Sequence, residues 1–256
     1  MITKNFLLIS NRNYSAFKKS LGVSLIWIYS EPLIMFLVLG YGIGALIDRI
    51  EGGSYLKFIT PGFILATLLQ VTFYESGLGL YSKLKDGRFF RSLSITPITK
   101  KDIILGEIFW GALKGLFSLL ILFLIGLMSG IISVEKIIYL FPFLLFVSII
   151  FSSMGTMICS FSTSQNTFLF IQALVVFPMY FLSGVFFPLD LLPTPLFILS
   201  LVFPLTHAVM IFKAILSSQI ESTFFINFAV LFVYGFVFLN LSLNKLAKKL
   251  QEVFGR

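Results

Sequence analysis

Four ionisable side chains interrupt runs that are otherwise apolar: Glu31, Glu75, Glu107 and Lys114. A charge inside hydrocarbon is costly, so such residues face protein or a water-filled path and pair with one another. Glu31 and Glu107 lie near the ends of their runs. Glu75 and Lys114 lie deeper, and at ~1.5 Å per residue both fall about one third of the way in from the same side. Matched depth and opposite sign make them a candidate intramembrane ion pair joining two helices. A structural tie is favoured over a proton relay, because no succession of acids or histidines continues from either residue.

Other reactive groups are few. The chain has one histidine, His207, and one cysteine, Cys159. Neither a multi-histidine nor a cysteine-cluster metal site can be assembled from them, and Cys159 sits in an apolar run that suits a small buried hydrophobe. The sequence holds no H-E-x-x-H, no G-x-S-x-G elbow and no G-x-x-x-x-G-K-[ST] phosphate loop. It therefore offers no catalytic, cofactor or metal site of those kinds, and it cannot hold ATP in the phosphate-loop manner. A Ser–His hydrolase dyad built on His207 is one reading of the lone histidine. A hydrogen-bonded structural residue beside Pro204 is the other, and the setting favours it.

The elements that must position these groups follow from composition. Hydrophobic residues make up 58% of the 256 and charged residues 12%; the mean hydropathy is +1.01. Soluble domains run at about 45–50% apolar and about 25% charged, so the chain is an all-α integral membrane protein, its uncharged runs reaching the ~20 residues that cross a ~30 Å hydrocarbon core as helix. Six spans are expected, at roughly 23–47, 59–82, 103–131, 137–161, 167–187 and 222–243. An even number puts both termini on one side. Fourteen of the nineteen Lys and Arg residues fall on that side, which the positive-inside rule makes cytoplasmic. The net charge of +8 thus reports topology and contact with anionic headgroups of the membrane lipid, and nucleic acid is not expected as a partner.

Three segments outside simple spans stand out. Residues 1–22 carry Leu7, Ser10, Tyr14, Phe17 and Leu21 at helical spacing, which suggests a helix lying along the cytoplasmic interface or, more simply, a basic flank of the first span; no cleaved leader is expected there. Residues 83–101 form a charged loop in which Phe89, Phe90, Leu93 and Ile95 interleave with Arg88 and Arg91. That pattern serves equally a helix entering a groove on another protein and one lying on lipid. Between spans five and six, Pro188, Pro193, Pro195 and Pro204 forbid one continuous helix. A break at that depth is tolerated only where protein or a water-lined cavity satisfies the backbone. Within the spans, Gly40 and Gly44 and then Gly111 and Gly115 recur at the four-residue spacing that lets helices approach closely.

Taken in order, "RNYSAFKKS", "EPLIMFLVLGYGIG", "YLKFITPGF", "GRFFRSLSITPIT", "GEIFWGALKG", "LSGVFFPLDLLP" and "FPLTHAV" resemble the membrane subunit of an ABC-2 type exporter, from residue 12 to about 216, close to the lipo-oligosaccharide, polysaccharide and drug export branch. The resemblance implies a multi-pass protein of the bacterial plasma (inner) membrane with both termini cytoplasmic. It implies a second permease copy, identical or a close paralogue, and separate P-loop ATPase subunits that supply the site for ATP and Mg. It also implies that Arg88, Phe89, Phe90, Arg91 and Leu93 contact those ATPases. The family's re-entrant outer helices correspond here to 188–216, with Pro188, Asp190, Pro193 and His207 as candidate outer gate residues. Two short helices are expected there, with Asp190 at the outer turn accepting backbone hydrogen bonds near the first helix's N-terminus. Relatives often carry an acid and then an Arg after the "PLTH" motif, where this chain has Met210 and Lys213. The function so implied is ATP-driven export of an amphipathic or lipid-linked molecule. An ion-gradient transporter, or a lipid-modifying enzyme embedded in the membrane, is the alternative; internal repeats and clustered acids or histidines, which these would show, are not seen in the sequence.

Overall fold

The computed structural model describes residues 5–47, 50, 53–87, 90, 93 and 96–254, with side chains as far as Gln251. Its helices are α1 (Phe6–Lys19), α2 (Leu21–Ala45), α3 (Tyr55–Asp86), α4 (Lys100–Met128), α5 (Val134–Phe161), α6 (Gln165–Leu182), α7 (Thr194–Ser200), α8 (Pro204–Ser217) and α9 (Ser222–Phe254). Six of them, α2 to α6 and α9, are long and apolar enough to cross a membrane. Each boundary lies within a few residues of the expected one except at α9, which continues past 243. At 33 residues it measures ~50 Å and outruns a ~30 Å hydrocarbon core.

Local sequence explains the starts and stops. Thr99 and Asp102 form a reciprocal capping box that opens α4, with the Asp102 backbone N–H donating to Thr99 Oγ1 at 3.2 Å and the Thr99 N–H to Asp102 Oδ2 at 3.0 Å. Gly87, at φ +67°, ends α3 in the left-handed conformation that glycine adopts without strain. Lys249 of α9 donates to the carbonyls of Cys159 and Ser162 at 2.9 and 2.6 Å, adding a charged donor where the last carbonyls of α5 lack a full set of helical partners.

Helix α3 is the axis of the bundle. In its most apolar window 78% of residues are buried, against 17% in α2 and 22% in α6, so α2 and α6 expose most of their apolar surface in the single chain. The seam of α3, α4 and α5 is made of small residues. A Cβ on Gly111 would stand 2.6 Å from Ser152 Oγ, one on Gly155 would stand 2.7 Å from Ser76 Oγ, and one on Gly115 would collide with Thr72. Gly40 likewise abuts Leu56, whereas a Cβ on Gly44 would rest 3.6 Å from Tyr55 in ordinary contact. Of the four glycines expected at helix contacts, Gly44 is therefore the one that packing does not demand.

A second cluster closes the end that bears both termini. Ile9, Leu84, Phe90, Leu93, Ile104, Leu246 and Leu250 belong to it, so it joins α1, α3, α4, α9 and the α3–α4 segment. Helix α1 follows α4, with Phe6 edge-on to Phe109 at 5.7 Å and Phe17 against Trp110 at 5.7 Å. Toward α4 it turns Ile9, Ser10 and Asn13, which are buried, while Leu7 and Tyr14 are exposed.

Candidate transport cavity and its coupling frame

The deep charges meet. Lys114 Nζ lies 2.5 Å from Glu75 Oε2, and Trp110 Nε1 donates to Glu75 Oε1 at 2.7 Å, so both carboxylate oxygens are held by α4. The lysine also sits 5.6 Å from the centre of the Phe17 ring, which brings α1 to the same node. Glu75 opens a π-helical turn, Glu75–Gly79, within α3. Such turns widen the helix by one residue and frequently mark functional sites.

A second node was not foreseen. Lys83 Nζ lies 2.6 Å from Glu107 Oε2 and 3.2 Å from Asn13 Oδ1, and Asn13 Nδ2 donates to Glu107 Oε1 at 3.0 Å. Glu107 is only 1% exposed. Burial lowers the pKa of the neighbouring Arg12 guanidinium, and the Glu107 charge opposes that shift. The two nodes bracket the π-helical turn and bind α1, α3 and α4 into one frame. A signal for the second lay in the register. In an antiparallel helix pair, two turns forward on α3 from Glu75 and two turns back on α4 from Lys114 reach Lys83 and Glu107.

Of the five residues expected to contact an ATPase, Arg88, Phe89 and Arg91 lie outside the described residues. Phe90 and Leu93 are 0% and 9% exposed and pack in the cluster at the terminal end. Their side chains anchor the segment inside this chain, in place of the exposed contact surface expected of them.

On the opposite end, the proline-broken stretch folds as a short turn, Leu189–Leu191, followed by α7 and α8, which meet at 85°. Its backbone is satisfied by side chains, as a break in an apolar setting requires. The Thr206 hydroxyl donates to the Ser200 carbonyl at 2.6 Å, His207 Nε2 lies 2.9 Å from the Leu201 carbonyl oxygen, and Tyr234 donates to the Val202 carbonyl at 2.5 Å. His207 Nδ1 is 2.7 Å from Asn227 Oδ1, tying α8 to α9. Tyr55 donates to the Phe186 carbonyl at 3.1 Å. Pro188 is buried and Pro193 exposed. Asp190 differs from expectation: it is exposed, caps no helix with its side chain, and precedes α7 by a separate turn. Leu192 and Pro193 intervene, both with extended backbone at ψ 139° and 144°, and the Pro193 ring fixes its own φ.

Between α2, α3 and α6 lies a cavity of about 670 Å³. Its walls are chiefly aromatic, including Phe63, Phe73, Phe177 and Phe181, with Pro32 and Met35 from α2. A polar chain crosses it. Tyr180 donates to Gln70 Oε1 at 3.0 Å, Gln70 Nε2 donates to Glu31 Oε1 at 2.9 Å, and Gln172 Nε2 donates to Tyr74 at 2.5 Å. Glu31 thereby acquires a place at the cavity, which its position near a span end did not reveal. Among the described residues, no group of His, Cys, Asp and Glu is arranged to hold a metal ion.

Among the described residues, six membrane-length helices with an apolar cavity among three of them define an all-α multi-pass membrane protein. The family model described as ABC-2 type transporter matches residues 4–217, and the chain belongs to that family. It is similar to Nodulation protein J of Rhizobium leguminosarum bv. viciae, 28% identical over 230 residues, which cover 90% of this chain and 89% of the relative. It is also similar to Nodulation protein J of Azorhizobium caulinodans, 32% identical over 180 residues covering 70% and 71%. Inner membrane transport permease YadH of Escherichia coli (strain K12) is 27% identical over 160 residues, 62% of each chain.

Proposed function

We propose that this chain is the membrane subunit of an ATP-driven exporter, working as a pair of permease copies with separate P-loop ATPases that bind ATP and Mg. Both termini and the α3–α4 segment face the cytoplasm, as the distribution of basic residues requires under the positive-inside rule. The name of the Escherichia coli relative supports an inner-membrane location. The cavity between α2, α3 and α6 serves as the export path for an amphipathic or lipid-linked molecule, and the exposed faces of α2 and α6 meet the second copy.

One observation carries the mechanism: the α3–α4 segment is rooted through Phe90 and Leu93 in a cluster shared with α1, α3, α4 and α9. An ATPase pushing on Arg88, Phe89 and Arg91 displaces that root. The two ion-pair nodes then pass the displacement to α3, which forms a wall of the cavity. On the far side, the sealed α7–α8 element acts as the outer gate. Packed interfaces pass small shifts on because they hold discrete arrangements rather than deforming continuously. Purification of the chain from native membranes in mild detergent tests this. A P-loop ATPase and a second permease copy are expected to accompany it. Gradient-driven transport by the chain alone in proteoliposomes would overturn it.

A further inference from the structure

A second concave surface lies apart from the cavity between α2, α3 and α6. Its volume is about 630 Å³, and residues of α5, α8 and α9 line it. Cys159 near the end of α5 and Leu250 near the end of α9 both pack in the cluster that closes the terminal end, so these two helices start at the opposite end and run in the same direction. Their facing stripes are Ile138, Pro142 and Phe146 on α5 and Phe224 and Phe228 on α9. The stripes converge where the rings of Phe146 and Phe228 stack, 5.1 Å apart and 14° from parallel. The groove is thus open at its rim and closed at that stack. From Lys136 at the rim to Phe146 is ten residues, or ~15 Å of helix, which is half of a ~30 Å hydrocarbon core. The groove is one leaflet deep.

We infer that this groove holds one phospholipid of the leaflet opposite the termini, with an acyl chain against the two stripes and a zwitterionic, primary-amine head such as ethanolamine at the rim. Depth selects the occupant. A transmembrane helix of a second copy or of another protein would cross both leaflets, and beyond the ring stack the groove offers it nothing. An acyl chain needs one leaflet's length of apolar wall, and Ile138, 74% exposed, leaves that wall open to the bilayer. Charge selects the head. The rim carries Glu135 and Lys136, an acid and a base side by side in the first turn of α5. Lys136 Nζ donates to the Leu216 carbonyl of α8, which fixes the ammonium at the groove; an ammonium has three N–H groups, so two remain for a phosphate. Glu135 is exposed and accepts from the primary ammonium of the head. A choline head has no N–H to donate, and a phosphoglycerol head brings a net negative charge beside Glu135.

The test uses the full chain, purified in detergent and offered equal amounts of dioleoyl phosphatidylethanolamine, phosphatidylcholine and phosphatidylglycerol, with retained lipid counted by native mass spectrometry. The ethanolamine lipid is expected to be retained about fivefold over either competitor, the upper range for an ion pair at an exposed rim. Ala214→Phe, which fills the groove from α8, should remove the bound lipid whatever its head. Glu135→Gln leaves the groove open and should bring phosphatidylglycerol level with phosphatidylethanolamine without changing the total. Glu135 is exposed, so this variant decides the matter even where Ala214→Phe fails to fold. A merely structural Glu135 would not move the ratio between heads. Retention indifferent to the head, a ratio unmoved by Glu135→Gln, or retention that survives Ala214→Phe in a folded chain overturns the inference. Crosslinking separates the other occupants. With Cys159 replaced by Ala, Ile138→Cys in native membranes should not be joined by a bifunctional maleimide to a second copy or to another protein; a crosslinked product would give the groove to a protein and overturn the lipid.

Discussion

Lys83 of α3 holds Glu107 of α4 at 2.6 Å, and the Glu75–Lys114 pair lies two helical turns away with acid and base exchanged between the helices. The exchange fixes the register of α3 against α4: sliding either helix by one turn would break both pairs at once. The Lys83–Glu107 pair is the nearer of the two to the α3–α4 segment.

Lys83→Met removes the cation bonded to the buried Glu107 carboxylate and leaves Arg12 as the nearby positive charge. Breaking a fully buried pair from one side costs about 3 kcal/mol; with the lysine 25% exposed, a smaller fall in thermal unfolding temperature in detergent is expected. Glu107→Gln in the same chain removes the stranded charge and should recover a large part of that loss.

Glu75→Gln and Lys114→Met should not be additive. Residues in direct contact show coupling energies of about 0.5–3 kcal/mol, and a double-mutant cycle on unfolding free energy reads that value directly. A coupling of zero would mean that the 2.5 Å contact contributes nothing to stability.

The small-residue seam predicts a contrast between glycines. Gly111→Ala places a methyl against Ser152 and Ser76, and overpacking of this kind costs about 1–3 kcal/mol. Gly42→Ala meets nothing within 4 Å and should be neutral or slightly stabilising. Thermal unfolding of the two variants side by side measures the difference.

At the broken segment, Tyr234→Phe removes the hydroxyl that donates to the Val202 carbonyl, and His207→Ala removes the ring nitrogen beside that of Leu201. Each should cost about 1–3 kcal/mol if water cannot replace the donor. Proteolysis of the α7–α8 connection under native conditions should accelerate in both variants.

The spans and the break were legible in the sequence because both are local: hydropathy over some twenty residues marks a span, and proline excludes helix wherever it falls. Glu75 and Lys114 could be matched by depth alone. Lys83 could not, because it was counted with the loop charges, whereas α3 runs on to Asp86. Asn13 was equally hidden: it is buried by its bonds to Lys83 and Glu107, and polarity by itself argues for the outside. Asp190 was assigned to a cap that the extended residues before α7 place out of reach.

The central claim is that ATP acts on the cavity through the α3–α4 segment. Cys159 is buried, so after its replacement by Ala a single cysteine at Phe177, which lines the cavity, reports accessibility. The measurement is the rate at which a maleimide labels that cysteine in the assembled complex, with and without ATP and Mg. The account predicts that nucleotide changes the rate several-fold and that Phe89→Asp abolishes the change while labelling without nucleotide stays as before. A rate indifferent to nucleotide in the intact complex, or a response that survives Phe89→Asp, would contradict it.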